Sequence, residues 1–176
     1  PTVTPTPTAT PPPSLEEVLP KVRSSVVQVI SGGVQISGIA IEPSSLILTA
    51  SQPLGVAPKV DIVTEDGQTF IGWVIGRDDA QNLSLVRVID GSIPGIPLGD
   101  SSSLGPGDKL LALGYPKSQS GRLSSVETAI KSDRRDLGSG IRLLELDAHD
   151  GTQPRSFPEE RDQGDKEPAF GAIYGT

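Results

Sequence analysis

Short apolar runs separated by turn residues are the feature that most limits how this chain can fold. From residue 24 onward each run is five to nine residues long and rich in Val, Ile and Leu, as in VVQVI, LILTA and LSLVRVI. β-branched residues favour strands, whereas the Gly, Pro, Asp and Ser between the runs favour turns. With 20 Gly and 17 Pro in 176 residues, the chain has more helix-breaking residues than a helical bundle tolerates. We therefore predict an all-β domain of antiparallel strands, folded as a barrel or a sandwich.

Local signals predict one hairpin and one short helix. Asp66-Gly67 lies between the runs KVDIVTE and TFIGWVIGR and predicts a hairpin with a two-residue type I′ turn. Before the first run, Ser14 and Glu17 have the spacing of a capping box, so a short helix should begin there. Because Pro20 lies within this segment, we expect one or two irregular turns instead of a long helix.

Composition argues against several functional classes. A net charge of -7 disfavours nucleic acid as a partner, since phosphate binding needs a clustered basic face. The absence of cysteine removes disulfides, thiol nucleophiles and Cys-ligated zinc. No apolar run approaches the roughly 20 residues of a membrane-spanning helix. We expect neither a cofactor nor a metal.

The first thirteen residues, PTVTPTPTATPPP, form a Thr/Pro tract. Such tracts cannot form a packed core, populate extended polyproline conformations and act as semi-rigid spacers. Residues 1–13 are therefore predicted to be a disordered linker, and a spacer that holds the domain off a cell surface is a second interpretation. Because the chain starts at Pro1 instead of Met, we expect that an upstream signal peptide or anchor has been lost. The predicted location is extracytoplasmic, either secreted or tethered to a cell surface.

The order of the segments between residues 14 and 148 resembles a protease family. The segments are SLEEVLPKVRSSVVQVISG, SGIAIEPSSLILTA, VIGRDDAQNLSLVRV, LGDSSSLGPGDKLLALGYP and LLELDA. In this order they are similar to trypsin-like serine proteases of the HtrA/Deg type, in which "ILT..H", "D....DLALL" and "LGDS..L..GD" segments follow a short helix. The resemblance implies two six-stranded antiparallel β-barrels with the active site in the cleft between them.

The resemblance also implies a division of the chain. Residues 14–97 would form the first barrel, and residues 98–176 would form the second, with a polar loop around residues 149–167. The final GAIYGT is similar to the strand that follows the catalytic serine in the family. The family continues with at least one more strand, so we expect the second barrel to be incomplete, either trimmed or completed from outside this sequence.

Two of the three catalytic positions implied by the resemblance carry carboxamides. The position of the histidine general base matches Gln52, and the position of the aspartate that orients it matches Asn82. A carboxamide has no pKa near neutrality and cannot act as a general base. Loss of the carboxylate alone is already costly in such triads.

Other titratable residues are alternatives. Asp78 and Asp79 precede Asn82 by several residues and could replace its carboxylate, but they would have no histidine to orient. The single histidine, His149, follows Asp147 and is interpreted as an exposed loop residue. A base contributed from that loop and a metal ligand beside the neighbouring aspartates are the alternatives. The metal pattern is weak, because no second His or carboxylate recurs at ligand spacing.

The nucleophile position depends on the register. Counting from Asp147 places it at Ser156, but the glycines that would shape the oxyanion hole are missing, and Pro158 has no amide to offer. A second register places Lys166 where the serine belongs. A Ser-Lys dyad of Ser156 and Lys166 is the remaining route to an enzyme. Lys166 lies in a mixed charge run, which is typical of a solvated loop.

Three hypotheses about function follow. The first is a catalytically inactive trypsin-like homologue, or pseudoprotease, that binds a peptide or protein in the inter-barrel cleft or on an exposed strand edge, or has a structural role. The second is an active serine endopeptidase with a non-standard catalytic constellation. The third is deliberate alteration of catalytic residues, which would account for the near-isosteric Gln52 and Asn82 but not for the missing glycines.

Trp73 alternates with Ile71 and Ile75 along a predicted strand. We interpret it as a packing residue, and stacking on a ligand is the alternative.

Overall fold

The structure, a computed structural model, describes residues 15–43, 45–116, 121–135, 142–146 and 172–175. Within these residues, helix α1 precedes strands β1 to β10. The bounds are α1 (Leu15–Arg23), β1 (Val26–Ser31), β2 (Val34–Ile41), β3 (Leu46–Ala50), β4 (Lys59–Val63), β5 (Thr69–Asp78), β6 (Leu83–Val88), β7 (Lys109–Gly114), β8 (Ser124–Arg135), β9 (Arg142–Leu146) and β10 (Ala172–Gly175). Two 3-10 turns span Gln52–Leu54 and Ser101–Ser103.

Helix α1 corrects the expectation of irregular turns. It is α-helical over nine residues, although Pro20 lies inside it. A proline in a helix interior removes a hydrogen bond, so packing must compensate. Val22 of this helix is buried in a hydrophobic core cluster, and Val18 and Leu19 pack against the same cluster. Ser14 lies outside the described residues, and so does the side chain of Glu17, so the capping box remains a prediction.

Strands β1 to β6 close into the six-stranded barrel that the resemblance predicts. Their order around the barrel is β1-β2-β3-β6-β5-β4, and every neighbouring pair is antiparallel. The barrel is filled by small and medium aliphatic side chains, which accounts for the low aromatic content of the sequence. The buried members of this core are Val27, Val29, Ala40, Ile47, Leu54, Val60, Ile62, Val86, Val88 and Ile93.

The second half of the chain is confirmed only in part as a barrel. Its described strands form a four-stranded sheet in the order β10-β7-β8-β9. Arg142 on β9 donates to both carboxylate oxygens of Asp133 on β8, and it also donates to the carbonyls of Ser101 and Leu104. A planar guanidinium can make these bonds at once, so β9 and the 3-10 turn are fastened together.

A second core cluster joins this sheet to the barrel. Val26 on β1, Val22 on α1 and Leu111 and Leu113 on β7 are buried in it together with Tyr115. Strand β1 therefore buries both of its faces, one in the barrel and one against α1 and β7, which explains why five of its six residues are buried.

The hairpin between β4 and β5 was predicted correctly, but its turn type was not. The Thr64 N–H donates to the Gln68 carbonyl, and the Gly67 N–H donates to the Thr64 carbonyl, each at 3.0 Å. Gly67 has a φ of 83°, whereas Asp66 is not in the positive region that a type I′ turn requires at both positions. The loop is thus one residue longer and ends in a left-handed glycine. The Asp66 carboxylate accepts from Thr64 Oγ1 and Gln68 Nε2, which stabilises this loop and lowers the pKa of Asp66.

Trp73 also corrects an expectation, because it is not a core packing residue. Its side chain is 46% exposed and belongs to neither core cluster. Its neighbours along β5, Gly72 and Val74, face the barrel interior, so the alternation of a strand places Trp73 on the outer face.

Candidate functional site

Strand β3 ends at the position that the resemblance assigns to the general base. Its last residue, Ala50, is buried and pairs with β6. Pro53 has no N–H for the ladder, and Leu54 turns back into the barrel core, so the chain leaves the sheet at Gln52. Ser31 Oγ donates to the Leu54 carbonyl at 3.2 Å and holds this turn. Gln52 is left exposed at the end of the barrel.

The turn between β5 and β6 carries Asn82 to the same end of the barrel. Asn82 has a φ of 54°, a left-handed conformation that Asn adopts more readily than most residues. Its N–H donates to the Asp79 carbonyl at 3.3 Å. At the start of the turn, Asp78 Oδ1 accepts from the Gln81 N–H at 3.0 Å. Asp78 thus binds a backbone N–H of its own turn, and Asn82 supplies the left-handed residue.

Gln52 and Asn82 are in direct contact. Asn82 Oδ1 accepts a hydrogen bond from the Gln52 backbone N–H at 2.7 Å. The Asn82 carbonyl accepts from the Ser51 N–H at 3.2 Å. The structure therefore brings together the two residues that the resemblance matches to the base and to its orienting carboxylate. They are 30 residues apart in sequence.

A second polar pair lies beside this junction, and the sequence reasoning missed it. Ser51 is buried, and its Oγ donates to Oδ1 of Asp79. The pair depends on the register between β3 and β6, which no short sequence pattern reveals. The only local signal was a serine at the end of an apolar strand.

The chemistry available at the junction is that of hydrogen bonding. The Gln52 carboxamide is exposed and makes no hydrogen bond to any described residue. It can donate to or accept from a ligand, but it cannot take a proton near neutral pH. Asp78 and Asp79, the alternatives for the missing carboxylate, accept from Gln81 and Ser51 instead.

The remaining candidates fall on residues that the structure does not describe. Ser156, Lys166 and His149 lie outside the described ranges, as does the polar loop around residues 149–167. Their assignments as nucleophile position, dyad partner and loop histidine stay predictions.

A groove of about 870 Å³ lies away from this junction, between α1, the β4–β5 hairpin and residues 92–94. Its walls are mainly apolar, and Arg23 and Glu65 form an ion pair at its rim. Gln52 and Asn82 do not line it. The lining residues are Leu19, Pro20, Arg23, Ser24, Thr64, Glu65, Asp66, Gln68, Phe70, Ser92, Ile93 and Pro94.

Tyr115 is the buried titratable group near this rim. Tyr115 comes directly after β7 in the sequence. It is part of the second core cluster and is 4% exposed. Burial, assisted by the negative charge of Glu65, raises the pKa of Tyr115 to about 12. The Tyr115 hydroxyl has no hydrogen-bond partner among the described residues.

With this geometry in place, comparisons with known proteins identify the family. A model of the trypsin-like peptidase domain matches residues 36–154, more than half of the chain. The chain is 39% identical over 84 residues to the protein HhoA of Synechocystis, and 31% identical over 118 residues to the mitochondrial serine protease HTRA2 of Drosophila persimilis. The chain belongs to the HtrA-type trypsin-like serine protease family. The resemblance read from the sequence is thereby confirmed.

Other matches to this HtrA-type family agree in fold. A DegP-like protein of Rickettsia prowazekii, named as a periplasmic serine endoprotease, is 31% identical over 104 residues. The solved structure titled "HtrA-type protease AlgW with decapeptide" superposes with a TM-score of 0.64 at 16% identity, over 76% of this chain and 51% of that chain. At this identity the likeness shows the fold alone.

The chain matches only part of each relative. The matches cover 47%, 64% and 57% of this chain, and 21%, 28% and 20% of HhoA, HTRA2 and the DegP-like protein respectively. What the whole relatives cleave or bind therefore bears on this chain only as a proposal.

The described residues lack two kinds of feature. None of the helices there has the length and apolar character needed to cross a bilayer. No group of three or more His, Asp or Glu side chains in the same part of the chain is placed to hold a metal ion.

Proposed function

We propose that this chain is a catalytically inactive HtrA-type homologue of an exported protein, with a peptide- or protein-binding or structural role. The observation that carries the proposal is the contact between Gln52 and Asn82, the two residues that the resemblance matches to the base and to its orienting carboxylate. Both side chains are carboxamides, which carry no charge near neutral pH. A hydrolytic mechanism that starts with proton transfer to an imidazole has no acceptor at position 52.

The neighbouring carboxylates support the same conclusion. Asp79 is engaged by the Ser51 hydroxyl, and Asp78 closes its own turn through the Gln81 N–H. A substitute base would have to leave these partners and reach the position of the reacting serine. Each of these bonds involves a charged acceptor, which makes it stronger than a neutral hydrogen bond.

Peptide binding is the retained activity that we favour. The exposed Gln52 carboxamide offers a donor and an acceptor to a ligand at the end of the barrel. An HtrA-type neighbour was solved with a decapeptide, which supports a peptide as the class of ligand. The periplasmic names of DegP-like relatives support an extracytoplasmic location.

The test uses two readouts on the purified chain. A fluorophosphonate probe reports a reactive serine, and a fluorescently labelled unfolded protein reports cleavage, each at several pH values beside an active HtrA-type protease. We expect neither labelling nor cleavage. Labelling or cleavage that survives repurification and disappears in Ser156→Ala or Lys166→Ala would overturn the proposal, and these variants also exclude a contaminating protease.

A reconstruction variant locates the defect. Gln52→His combined with Asn82→Asp restores an imidazole and a carboxylate at two positions already in contact. Probe labelling of the double variant, but not of the wild type, would confine the loss to these positions. If the double variant stays unlabelled although it is folded, the serine loop is defective as well.

Peptide binding is tested separately. A decapeptide library is displayed on a surface and probed with the labelled chain, and Gln52→Ala is the matched variant. Binding that weakens in this variant supports the cleft as the site. Equal binding by both chains would place the ligand elsewhere.

A further inference from the structure

The outer face of β4, β5 and β6 exposes large apolar side chains beside the single tryptophan. Trp73, Ile75 and Ile89 are 46%, 45% and 54% exposed. Ile75 lies two residues beyond Trp73 on β5. Ile89 lies beside β5, because its N–H donates to the Ile71 carbonyl at 3.0 Å. We refer to this surface, Trp73 with Ile71, Ile75 and Ile89, as the Trp73 face.

Two cations flank the indole in the same row of the sheet. Lys59 on β4 and Arg87 on β6 are each the register partner of Trp73. Directly opposed side chains lie within about 5.5 Å at their Cβ atoms. Among the described residues neither cation forms an ion pair or a side-chain hydrogen bond. In a chain with net charge -7, this is a local positive site around an exposed aromatic ring.

Two carboxylates lie in the next row. Asp61 on β4 is the register partner of Ile71, and Asp90 Oδ1 accepts from the Ile71 N–H at 2.8 Å. The surface is therefore positive at Trp73 and negative at Ile71. A uniformly anionic membrane surface fits this division poorly, and the aliphatic neighbours make it unlike a sugar platform built from an aromatic ring and polar groups.

The spacing of the cations defines the shape of a complementary partner. Lys59 and Arg87 are separated by two strand spacings, roughly 10 Å. A helix presents residues i and i+7 on one face at a separation of about 10.5 Å, with i+3 and i+4 between them. Packing a helix on a sheet face is also a common way to cover exposed apolar residues.

We propose that the Trp73 face binds an acidic amphipathic helix of a protein partner. Two carboxylates of that helix, seven residues apart, pair with Lys59 and Arg87, and the apolar residues between them cover Trp73 and Ile75. This surface is separate from the Gln52–Asn82 junction, so the proposal does not depend on whether the chain is catalytically active.

Trp73 is the only tryptophan in the chain, so its fluorescence reports directly on this surface. The probe is a capped helical peptide with Glu at positions i and i+7 and Leu at i+3 and i+4. We expect a saturable blue shift of the Trp73 emission, because the peptide removes the indole from water. A peptide with Lys in place of Glu should bind at least about tenfold more weakly, since exposed ion pairs contribute up to about fivefold each and like charges repel.

Matched variants separate the proposal from general charge effects. Lys59→Gln with Arg87→Gln should weaken the binding of the Glu peptide about tenfold. Lys109→Gln with Arg122→Gln removes the same charges from the second half of the chain and should leave binding unchanged. Trp73→Ala, measured by the anisotropy of a labelled peptide, should also weaken binding, and circular dichroism checks that each variant is folded.

Several outcomes would overturn the proposal. One is the absence of a saturable shift with the Glu peptide at low salt. Another is equal binding of the Glu and Lys peptides, and a third is equal loss in the two double variants. Tighter binding of anionic vesicles or of a sulfated oligosaccharide than of the Glu peptide, lost on Lys59→Gln with Arg87→Gln, would identify a different class of partner.

Discussion

Replacement of Asn82 tests whether the junction is held by its side chain and its backbone conformation. Asn82 makes two separable contributions to folding. Its Oδ1 accepts from the Gln52 N–H at 2.7 Å, and its backbone adopts a φ of 54°. Alanine cannot accept the hydrogen bond, and its Cβ makes the left-handed backbone unfavourable. Glycine loses the first and adopts the backbone freely, whereas aspartate keeps both.

The magnitudes follow from general values. One hydrogen bond contributes about 1 kcal/mol net to the free energy of unfolding. A left-handed conformation costs alanine roughly 1 kcal/mol more than it costs asparagine. Asn82→Ala should therefore lower the free energy of unfolding by about 2 kcal/mol. Asn82→Gly should lower it by about 1 kcal/mol, because relief of strain is offset by the flexibility of glycine in the unfolded chain.

Aspartate and a neighbouring variant serve as controls. Asn82→Asp keeps the acceptor and tolerates the same φ, so its free energy of unfolding at neutral pH should stay within about 0.5 kcal/mol of the wild type. Gln52→Ala should also be neutral to about 0.5 kcal/mol, because position 52 contributes its backbone N–H and an exposed side chain.

The assay is urea unfolding followed by circular dichroism and by Trp73 fluorescence, with linear extrapolation of the free energy. The expected order of stability is Asp and Asn, then Gly, then Ala. If Asn82→Ala and Asn82→Gly have equal free energies of unfolding, the left-handed backbone does not destabilise the alanine variant. If Ala matches the wild type, the Asn82 side chain does not hold the junction, and the reasoning fails.

Three further predictions concern the barrel, the second core and the second sheet. Gly72→Ala should lower the free energy of unfolding by about 1–3 kcal/mol, because the new Cβ would lie 2.5 Å from a methyl group of buried Val86. Gly105→Ala is the control: its Cβ would meet no atom within 4 Å, so the same urea titration should show no change. Raising the pH from about 10 to about 12 should lower the free energy of unfolding of the wild type by up to 2–3 kcal/mol more than that of Tyr115→Phe. The pKa of Tyr115 is raised in the folded state, so the fold favours the neutral phenol. This stabilisation is lost as the pH rises from the unfolded-state pKa to the folded-state pKa. Hydrogen exchange of β9 and of the Ser101–Ser103 turn should speed up in Arg142→Lys, because an ammonium cannot keep the two-oxygen contact with Asp133 and both loop carbonyls.

The first barrel could be predicted from the sequence because its information is local and repeated. Each strand is a short apolar run bounded by turn residues, and the order of the motifs matched a family whose barrel the structure confirms. The turn at Gly67 was wrong by one residue, because side-chain bonds from Thr64 and Gln68 to Asp66 favour a longer loop. Such bonds depend on side-chain positions that a two-residue Asp-Gly signal does not contain.

Trp73 shows why burial is harder to predict than strand identity. Alternation with Ile71 and Ile75 correctly indicates a shared face, but it does not say which face is inside. Gly72 determines which face of β5 is inside, because its missing side chain lets Val86 and Ile62 pack in the narrow barrel interior. Gly72 between Ile71 and Trp73 was the local signal, because a glycine within a strand often marks a close approach of neighbouring groups.

The junction between β3 and β6 places unequal demands on its two residues. Position 82 needs a side-chain acceptor and a left-handed backbone, which Asn and Asp supply and most residues do not. Position 52 supplies a main-chain N–H that any residue except proline provides, and its side chain points to solvent. An imidazole at position 52 could thus be lost with no cost to folding, whereas the residue at position 82 could change only to one that keeps the acceptor. The fold therefore constrains position 82 more tightly than position 52, which is the order of stability losses predicted above for Asn82→Ala and Gln52→Ala.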